Sequence, residues 1–186
     1  LRRLYEQLGD WEHLRELLPE LRRRKVEEEA ELQRLELRTH RALLEQAFLA
    51  SDERRLSMAW ADVPRGLRSE PQLLGDYAGY LQESGQDAKA EKLLREALRK
   101  NWDAGLIETY GLLEMPEPGK QLSQMEKLLH DHPDDPTLLL SLGRISLRAQ
   151  LWGKARGYLE ACIGRNGPAQ AYRELGQLLE HMHESE

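Results

Sequence analysis

The chain has 186 residues, of which 40% are apolar and 32% charged, and a formal net charge of −6. This length can bury one ordinary hydrophobic core, and the negative charge argues against a nucleic-acid-binding surface. The single cysteine, Cys162, excludes an intrachain disulfide and fits a reducing compartment. The sequence contains no run of about 18 apolar residues, the length that a membrane-spanning helix requires. Leu, Glu, Arg, Ala and Gln dominate, whereas Val, Ile, Thr and Phe are scarce, which favours an all-α fold.

Caps, breakers and apolar spacing predict a series of helices in chain order. Gly9 ends the first helix and Asp10 begins the second, which contains Pro19 and is expected to kink there. Short connections favour neighbouring helices that pack antiparallel in sequence order. The remaining predicted helices cover 26–50, 52–60, 71–84, 87–101, 104–113, 121–130, 137–149, 152–165 and 169–183.

The stretch LGRISLRAQLWGKARGYLEAC, residues 142–162, matches the tetratricopeptide repeat pattern. Gly143 and Ala155 stand where the two helices of such a hairpin cross, and only small side chains let the backbones approach there. The surrounding apolar residues are the predicted repeat core of a unit at 136–168: Leu139, Leu142, Trp152, Leu159 and Cys162.

Further repeat units are predicted at 71–102 and at 1–25, the first helix of the latter starting before Leu1. Degenerate helices fill 26–66 and 103–131, and the helix at 169–183 opens another unit. The chain is therefore expected to be an all-α solenoid fragment over 1–186, in which helix hairpins stack into a curved array. The predicted core positions of the unit at 71–102 are Leu74, Ala78, Ala90, Leu94 and Ala97.

Few residues suggest chemistry. Cys162 could be a haem thiolate or a reactive thiol, but the repeat pattern needs a small buried residue at its position. The segment HDHPDD, residues 130–135, could hold a metal or a haem iron, although such clusters before a proline are typical of solvated turns. His181 and His183 lie near the chain end. No phosphate loop, metal-spaced cysteine set or catalytic triad is recognisable, so the sequence predicts neither enzyme activity nor a metal site.

A binding groove is the better candidate, because such arrays usually bind peptides along the inner face of their first helices. Arg144 and Arg148 are four residues apart and point the same way. Guanidinium groups suit carboxylates, either of an acidic protein segment or of porphyrin propionates. The alternative is that these arginines are solvated or paired with Glu; the core pattern does not require them. The predicted groove residues are Leu140, Arg144, Leu147, Arg148 and Arg173.

Residues 138–163, preceded by HPDDP at 132–136, resemble the C-terminal repeat of the HemY family, tetratricopeptide proteins associated with haem biosynthesis in proteobacteria. Residues 1–26, 60–71 and 110–129 resemble the same family in order. The resemblance implies a protein of the bacterial inner membrane, held by N-terminal transmembrane helices that precede the repeats, with a cytoplasmic soluble part. It carries over no catalytic motif.

Three functional interpretations follow. The first is a non-catalytic scaffold that binds protein partners and organises late steps of protoporphyrin and protohaem synthesis, without a cofactor of its own. The scaffold rests on the repeats, and the link to haem rests on the resemblance. The second is a direct carrier of haem or porphyrin that uses the groove arginines and a histidine. The third is an assembly module unrelated to haem.

Overall fold

A computed structural model describes residues 1–25 and 28–184, with side chains through Met182. This part of the chain is helical and contains no strand, so the all-α prediction is confirmed. Its α-helices are α1 Arg2–Leu8, α2 Trp11–Arg24, α3 Glu29–Leu49, α4 Glu53–Ala61, α5 Pro71–Glu83, α6 Asp87–Leu98, α7 Ala104–Leu112, α8 Pro118–Met125, α9 Pro136–Arg148, α10 Trp152–Gly164 and α11 Ala169–Glu184, with 3-10 helices at Leu67–Ser69 and Glu126–His130.

The predicted helices differ from the observed ones mainly at their ends. The predicted start of the long helix, residues 26–27, lies outside the described residues, and α3 begins at Glu29. The predicted helix 121–130 divides into α8 and the 3-10 helix Glu126–His130. Helix α2 continues through Pro19 to Arg24 without a break.

The chain divides into two compact units, Leu1–Gly85 and Gln86–Glu186. The N-terminal unit contains α1 to α5, and the C-terminal unit contains α6 to α11. The boundary falls inside the predicted repeat unit 71–102. A single array over the whole chain stays a prediction.

The N-terminal unit packs α2 against α3 and α3 against α4 and α5. The aromatic rings of α3, α4 and α5 stack in two places: Trp60 on Tyr77 with centroids 4.3 Å apart, and Phe48 on Tyr80 with centroids 4.6 Å apart. Such pairs stabilise beyond the area that they bury. The cluster between α2 and α3 consists of Leu14, Leu18 and Leu35, with Tyr5, Trp11 and Leu21 at its edge.

One polar side chain in the core of the N-terminal unit is incompletely bonded. His40 on α3 is only 3% exposed, and its Nδ1 makes no hydrogen bond with the described residues. Burial lowers the pKa of this imidazole below its usual 6.5. The neighbouring Thr39 is satisfied, because its hydroxyl donates to the Leu35 carbonyl at 2.7 Å.

Four tight turns join consecutive helices in the same way, and the one at Gly85 has a φ angle of 71° and precedes α6 by two residues. Gly9, Ser51 and Gln150 have φ angles of 67°, 53° and 57°, and each stands two residues before the next helix begins. This left-handed conformation closes the C-terminal end of the preceding helix and suits glycine best. In two of the turns the following aspartate, Asp10 or Asp52, accepts from backbone N–H groups of the next helix.

In the C-terminal unit α9 packs against α7, α8 and α10, and α10 packs against α11. Gly143 lies where α9 meets α10: a Cβ there would be 2.9 Å from Cδ2 of Leu159. A side chain at this point therefore requires Leu159 to move. The main buried cluster contains Leu139, Leu140, Ala155, Leu159, Cys162, Ala171 and Leu178.

Candidate functional site

The two predicted groove arginines lie on α9, between α7 and α11. Helix α7 approaches α9 closely, because a Cβ on Gly111 would lie 2.5 Å from Cβ and Oγ of Ser141. The Ser141 hydroxyl donates to the Ile107 carbonyl of α7 at 3.2 Å. This approach brings polar groups of α7 within reach of the arginines that follow Ser141 on α9. We call Arg144, Arg148 and Glu174 the arginine cluster.

Arg144 is paired rather than free. Its Nε donates to Oε1 of Glu174 on α11 at 2.8 Å, and the two side chains are 14% and 18% exposed. Its Nη1 lies 4.0 Å from the more exposed carboxylate of Glu108 on α7. The charge of Arg144 is thus balanced by a carboxylate within the unit. The pairing with glutamate, left open by the sequence, occurs at this residue.

Arg148 hydrogen-bonds to the C-terminal end of α7. Its Nη2 donates to the Gly111 carbonyl at 2.7 Å, within the last turn of that helix, where a cation is favourable. Burial lowers the pKa of Arg148 from its ordinary value, although a guanidinium stays charged in proteins. Its Nε is buried and makes no hydrogen bond with the described residues. Arg148 therefore links two helices and keeps one donor unused.

The arginine cluster contains a second polar atom without a partner in the described part of the chain. Glu174 Oε2 is also buried without a hydrogen bond among the described residues. The cluster thus retains one unused acceptor beside the unused donor of Arg148. Buried polar groups without partners are unfavourable by about 1–3 kcal/mol.

The other predicted groove residues have different surroundings. Leu140 is 3% exposed and belongs to the buried cluster of the unit. Leu147 is half-buried and packs against the same cluster. Arg173 is exposed on α11 and makes no ion pair with the described residues. The structure therefore brings Arg144 and Arg148 together, uses the leucines for packing and leaves Arg173 in solvent. Their role in binding stays a prediction.

The predicted repeat-core residues are mostly inaccessible to solvent. Trp152 and Ala97 are half-buried, and on α6 the neighbouring Leu98 takes the buried place instead of Ala97. Trp152 begins α10 and meets the His181 ring edge-on at 5.1 Å. The buried ones are Leu74, Ala78, Ala90, Leu94, Leu139, Leu142, Gly143, Ala155, Leu159 and Cys162.

Cys162 has the surroundings of a structural thiol. It is fully buried, and its Sγ donates to the Pro136 carbonyl at 3.2 Å. Burial raises the pKa of the thiol, which disfavours the thiolate that nucleophiles and metal ligands require.

The HDHPDD segment is divided among structural contacts. Asp135 caps α9 by accepting from the Leu138 N–H at 2.8 Å, and Asp134 accepts from Nε of Arg165 at 2.9 Å. The His132 ring stacks on Trp102 with centroids 3.4 Å apart. Within the described residues no three His, Cys, Asp or Glu side chains are placed to hold a metal ion. The side chain of His183 lies outside the described residues.

The pattern of repeats did not predict Glu174 or the Gly111 carbonyl as partners of the arginines. A signal was present for Glu174. It directly precedes Leu175-Gly176, whereas Arg144 directly follows the equivalent Leu142-Gly143. Arg144 on α9 and Glu174 on α11 thus carry opposite charges next to equivalent Leu-Gly pairs, and this could have indicated the ion pair. A backbone carbonyl leaves no such trace in the sequence.

Comparison with known proteins gives one line of similarity. The chain is 24% identical to Protein HemY of Escherichia coli K12, of Escherichia coli O157:H7 and of Shigella flexneri, over 186 residues in each case. The match covers 98% of this chain but 46% of each relative, so the chain spans less than half their length. No protein-family model matches, and no solved structure does. None of the described helices is long and apolar enough to cross a membrane.

Proposed function

We propose that this chain is the tetratricopeptide part of a HemY-like protein of the bacterial inner membrane and is a non-catalytic scaffold for enzymes of late haem biosynthesis. The observation that carries this proposal is the similarity to HemY, which extends over 98% of the chain. The link from HemY to haem comes from the family resemblance of the sequence. Anchoring in the membrane is proposed for the full-length protein.

The repeated local geometry supports a tetratricopeptide arrangement. Left-handed residues at Gly9, Ser51 and Gln150 connect successive helices by the same short turn. Glycine allows close packing at Gly143 in α9, next to Leu159 of α10. Units of two helices that bury one face against their neighbours are the building blocks of such solenoids.

The arginine cluster and the exposed Arg173 are the proposed binding face for a protein partner. Arg173 directly precedes Glu174 on α11 and offers an accessible positive charge to an acidic partner. Arg144 and Arg148 also have structural contacts, so their substitution affects stability as well as binding. Arg173 separates the two effects, because it is exposed and makes no ion pair with the described residues.

The test is affinity capture of the full-length protein from cells, followed by identification of the proteins that it retains. We expect enzymes of late haem synthesis, and we expect Arg173→Glu to reduce their recovery without changing the melting temperature of the protein. Recovery of proteins unrelated to haem would favour the general assembly module, and recovery of none would contradict the scaffold.

Titration with haemin separates the scaffold from the carrier. We expect no change in the Soret band that depends on a histidine of this chain. A Soret shift that His132→Ala or His40→Ala abolishes would replace the scaffold by a haem carrier.

A further inference from the structure

A second surface of the C-terminal unit has the features of a peptide site. A groove runs between α6 and the segment formed by α8 and the following 3-10 helix; we call it the α6–α8 groove. Its wide part has a volume of about 420 Å³ and its narrow part about 60 Å³, and Arg95 and Gln124 border both. The arginine cluster contributes no residue to this lining.

The charges along the α6–α8 groove are balanced at one end only. Glu91 accepts from Nε of Arg95 at 2.9 Å and from the Tyr110 hydroxyl at 2.8 Å. Lys120 is paired with Glu117 at 2.7 Å. These carboxylates and cations neutralise each other along the wide part.

The narrow part carries positive charge without a carboxylate. Arg99 is exposed and makes no ion pair with the described residues, and Lys127 donates to the neutral amide of Gln124 at 2.9 Å. The chain as a whole has a formal net charge of −6. A local excess of two cations therefore favours an anionic ligand at this end.

Apolar side chains form the base of the narrow part. Leu98 and Met125 are buried and Leu128 is half-buried, and all three border the space beside Arg99 and Lys127. The wall of the wide part is also apolar at Ala88. An aliphatic group that enters the narrow part is removed from water while the cations remain at its rim.

The buried side-chain amide of Gln121 borders the wide part, and its oxygen accepts no hydrogen bond from the described residues. Gln121 is 3% exposed, and its Nε2 donates to the carbonyls of Tyr110 and Leu113 at 2.9 Å and 3.3 Å. Its Oε1 is itself inaccessible to solvent, so the amide is part of the wall of the groove.

We infer that the α6–α8 groove binds an acidic, partly apolar peptide segment of a protein partner. An aliphatic side chain of the segment occupies the narrow part, and its neighbouring carboxylates meet Arg99 and Lys127. The inference rests on the proposed protein-binding function and adds to it a second surface and the chemistry of the ligand.

Fluorescence anisotropy with labelled decapeptides tests the inference on the purified chain. The peptides consist of Leu and Ala with increasing numbers of Glu, and a matched series carries Lys instead. We expect affinity to rise with the number of Glu and to fall as salt increases from about 0.05 M to about 0.5 M. The combined change Arg99→Glu and Lys127→Glu should weaken binding about tenfold.

Two further variants show whether the groove itself is used. Lys100→Glu makes the charge change of one of these two substitutions next to Arg99 but does not border the groove, so the affinity of this variant should equal that of the parent. Ala88→Trp fills the mouth of the wide part from an exposed position without changing charge, and it should weaken binding. Circular dichroism of each variant verifies that the fold is retained.

The inference is overturned if no peptide binds, if the Lys series binds as well as the Glu series, or if Lys100→Glu weakens binding as much as the double change. Capture from cells remains a separate result. If no peptide binds but the parent and the double variant recover the same partners, the proposed peptide site is wrong and the scaffold proposal stands. Absence of any captured partner would remove the scaffold even if peptides bind.

Discussion

The two close helix crossings of the C-terminal unit are both built on glycine but differ in what surrounds it. At the α9–α10 crossing Gly143 faces the flexible side chain of Leu159, in apolar surroundings. At the α7–α9 crossing Gly111 lies close to both the side chain and the Cα of Ser141. Hydrogen bonds from the side chains of Ser141 and Arg148 to carbonyls of α7 join the two helices. The first crossing tolerates adjustment by side-chain movement, whereas the second requires the backbone to move.

The largest contrast is expected from placing the same methyl group at both crossings. Gly111→Ala should destabilise the C-terminal unit by about 1–3 kcal/mol, because its Cβ would lie 3.0 Å from the Ser141 Cα as well as against the side chain. Gly143→Ala should be close to neutral, since Leu159 can shift and alanine adds up to about 1 kcal/mol of helix propensity. Urea denaturation followed by tryptophan fluorescence measures both.

Ser141→Gly provides the matched control for the crossing, because it removes the atoms that the new methyl group meets. In the Gly111→Ala background it should recover part of the lost stability, which a double-mutant cycle isolates. Equal losses for Gly111→Ala and Gly143→Ala would contradict the distinction between the two crossings.

The polar bonds of the α7–α9 crossing are tested by Arg148→Met, which keeps the length of the side chain but removes its charged donor to Gly111. We expect a loss of about 1.5–3 kcal/mol in the free energy of unfolding. Arg156→Met is the control, because Arg156 pairs with Glu160 on the exposed side of α10. That change should cost less than about 0.5 kcal/mol. Similar values for both variants would show that the carbonyl bond is unimportant.

A glycine without a crossing should respond in the opposite sense. Gly157 lies on the exposed side of α10, and no heavy atom lies within 4 Å of a Cβ placed there. Gly157→Ala should therefore stabilise the chain by about 0.5–1 kcal/mol through helix propensity alone. Thermal unfolding measures the gain. A loss of stability would mean that this side of α10 has a neighbour that the fold does not reveal.

The smallest effect near neutral pH is expected from the buried imidazole of the N-terminal unit. His40 has a lowered pKa, so the unfolded chain binds its proton more readily than the folded one does. Stability should therefore be constant above about pH 7, fall as the pH drops below 6.5, and level off below the folded pKa. His40→Leu should remove this decline, measured by urea denaturation from about pH 5 to about pH 8.

The titration of His13 also changes the stability in this pH range and must be separated from that of His40. The hydrogen bond with Asp10 raises the pKa of His13, so protonation of His13 stabilises the folded chain, whereas protonation of His40 destabilises it. The contribution of His13 is complete below 6.5 and disappears as the pH rises through the folded value. Comparison in a His13→Ala background isolates His40. A decline that persists in the double variant would assign the pH dependence to other groups.

Local patterns in the sequence predicted the helices well because their causes are local. Asp10 and Asp52 cap helices by bonding to N–H groups two or three residues away, and Gly9 takes the left-handed conformation that ends α1. Gln150 takes the same left-handed conformation although it is not a glycine, so the residue type did not indicate the turn there. The extent of the 3-10 helix at Glu126–His130 was also missed, because a change of hydrogen-bond pattern leaves the apolar spacing almost unchanged.

The sequence by itself determined the helical fold, the small residues at the α9–α10 crossing and the presence of two arginines on one side of α9. Only the tertiary structure decided what those arginines contact: Glu174 lies 30 residues from Arg144, and the Gly111 carbonyl 37 residues from Arg148. It also decided that Leu140 packs inside and that Gln121 lacks a donor beside the α6–α8 groove. Helix periodicity fixes which side of a helix a residue occupies, but the partner of a polar group depends on which distant backbone or side chain the packing of other helices brings within hydrogen-bond distance.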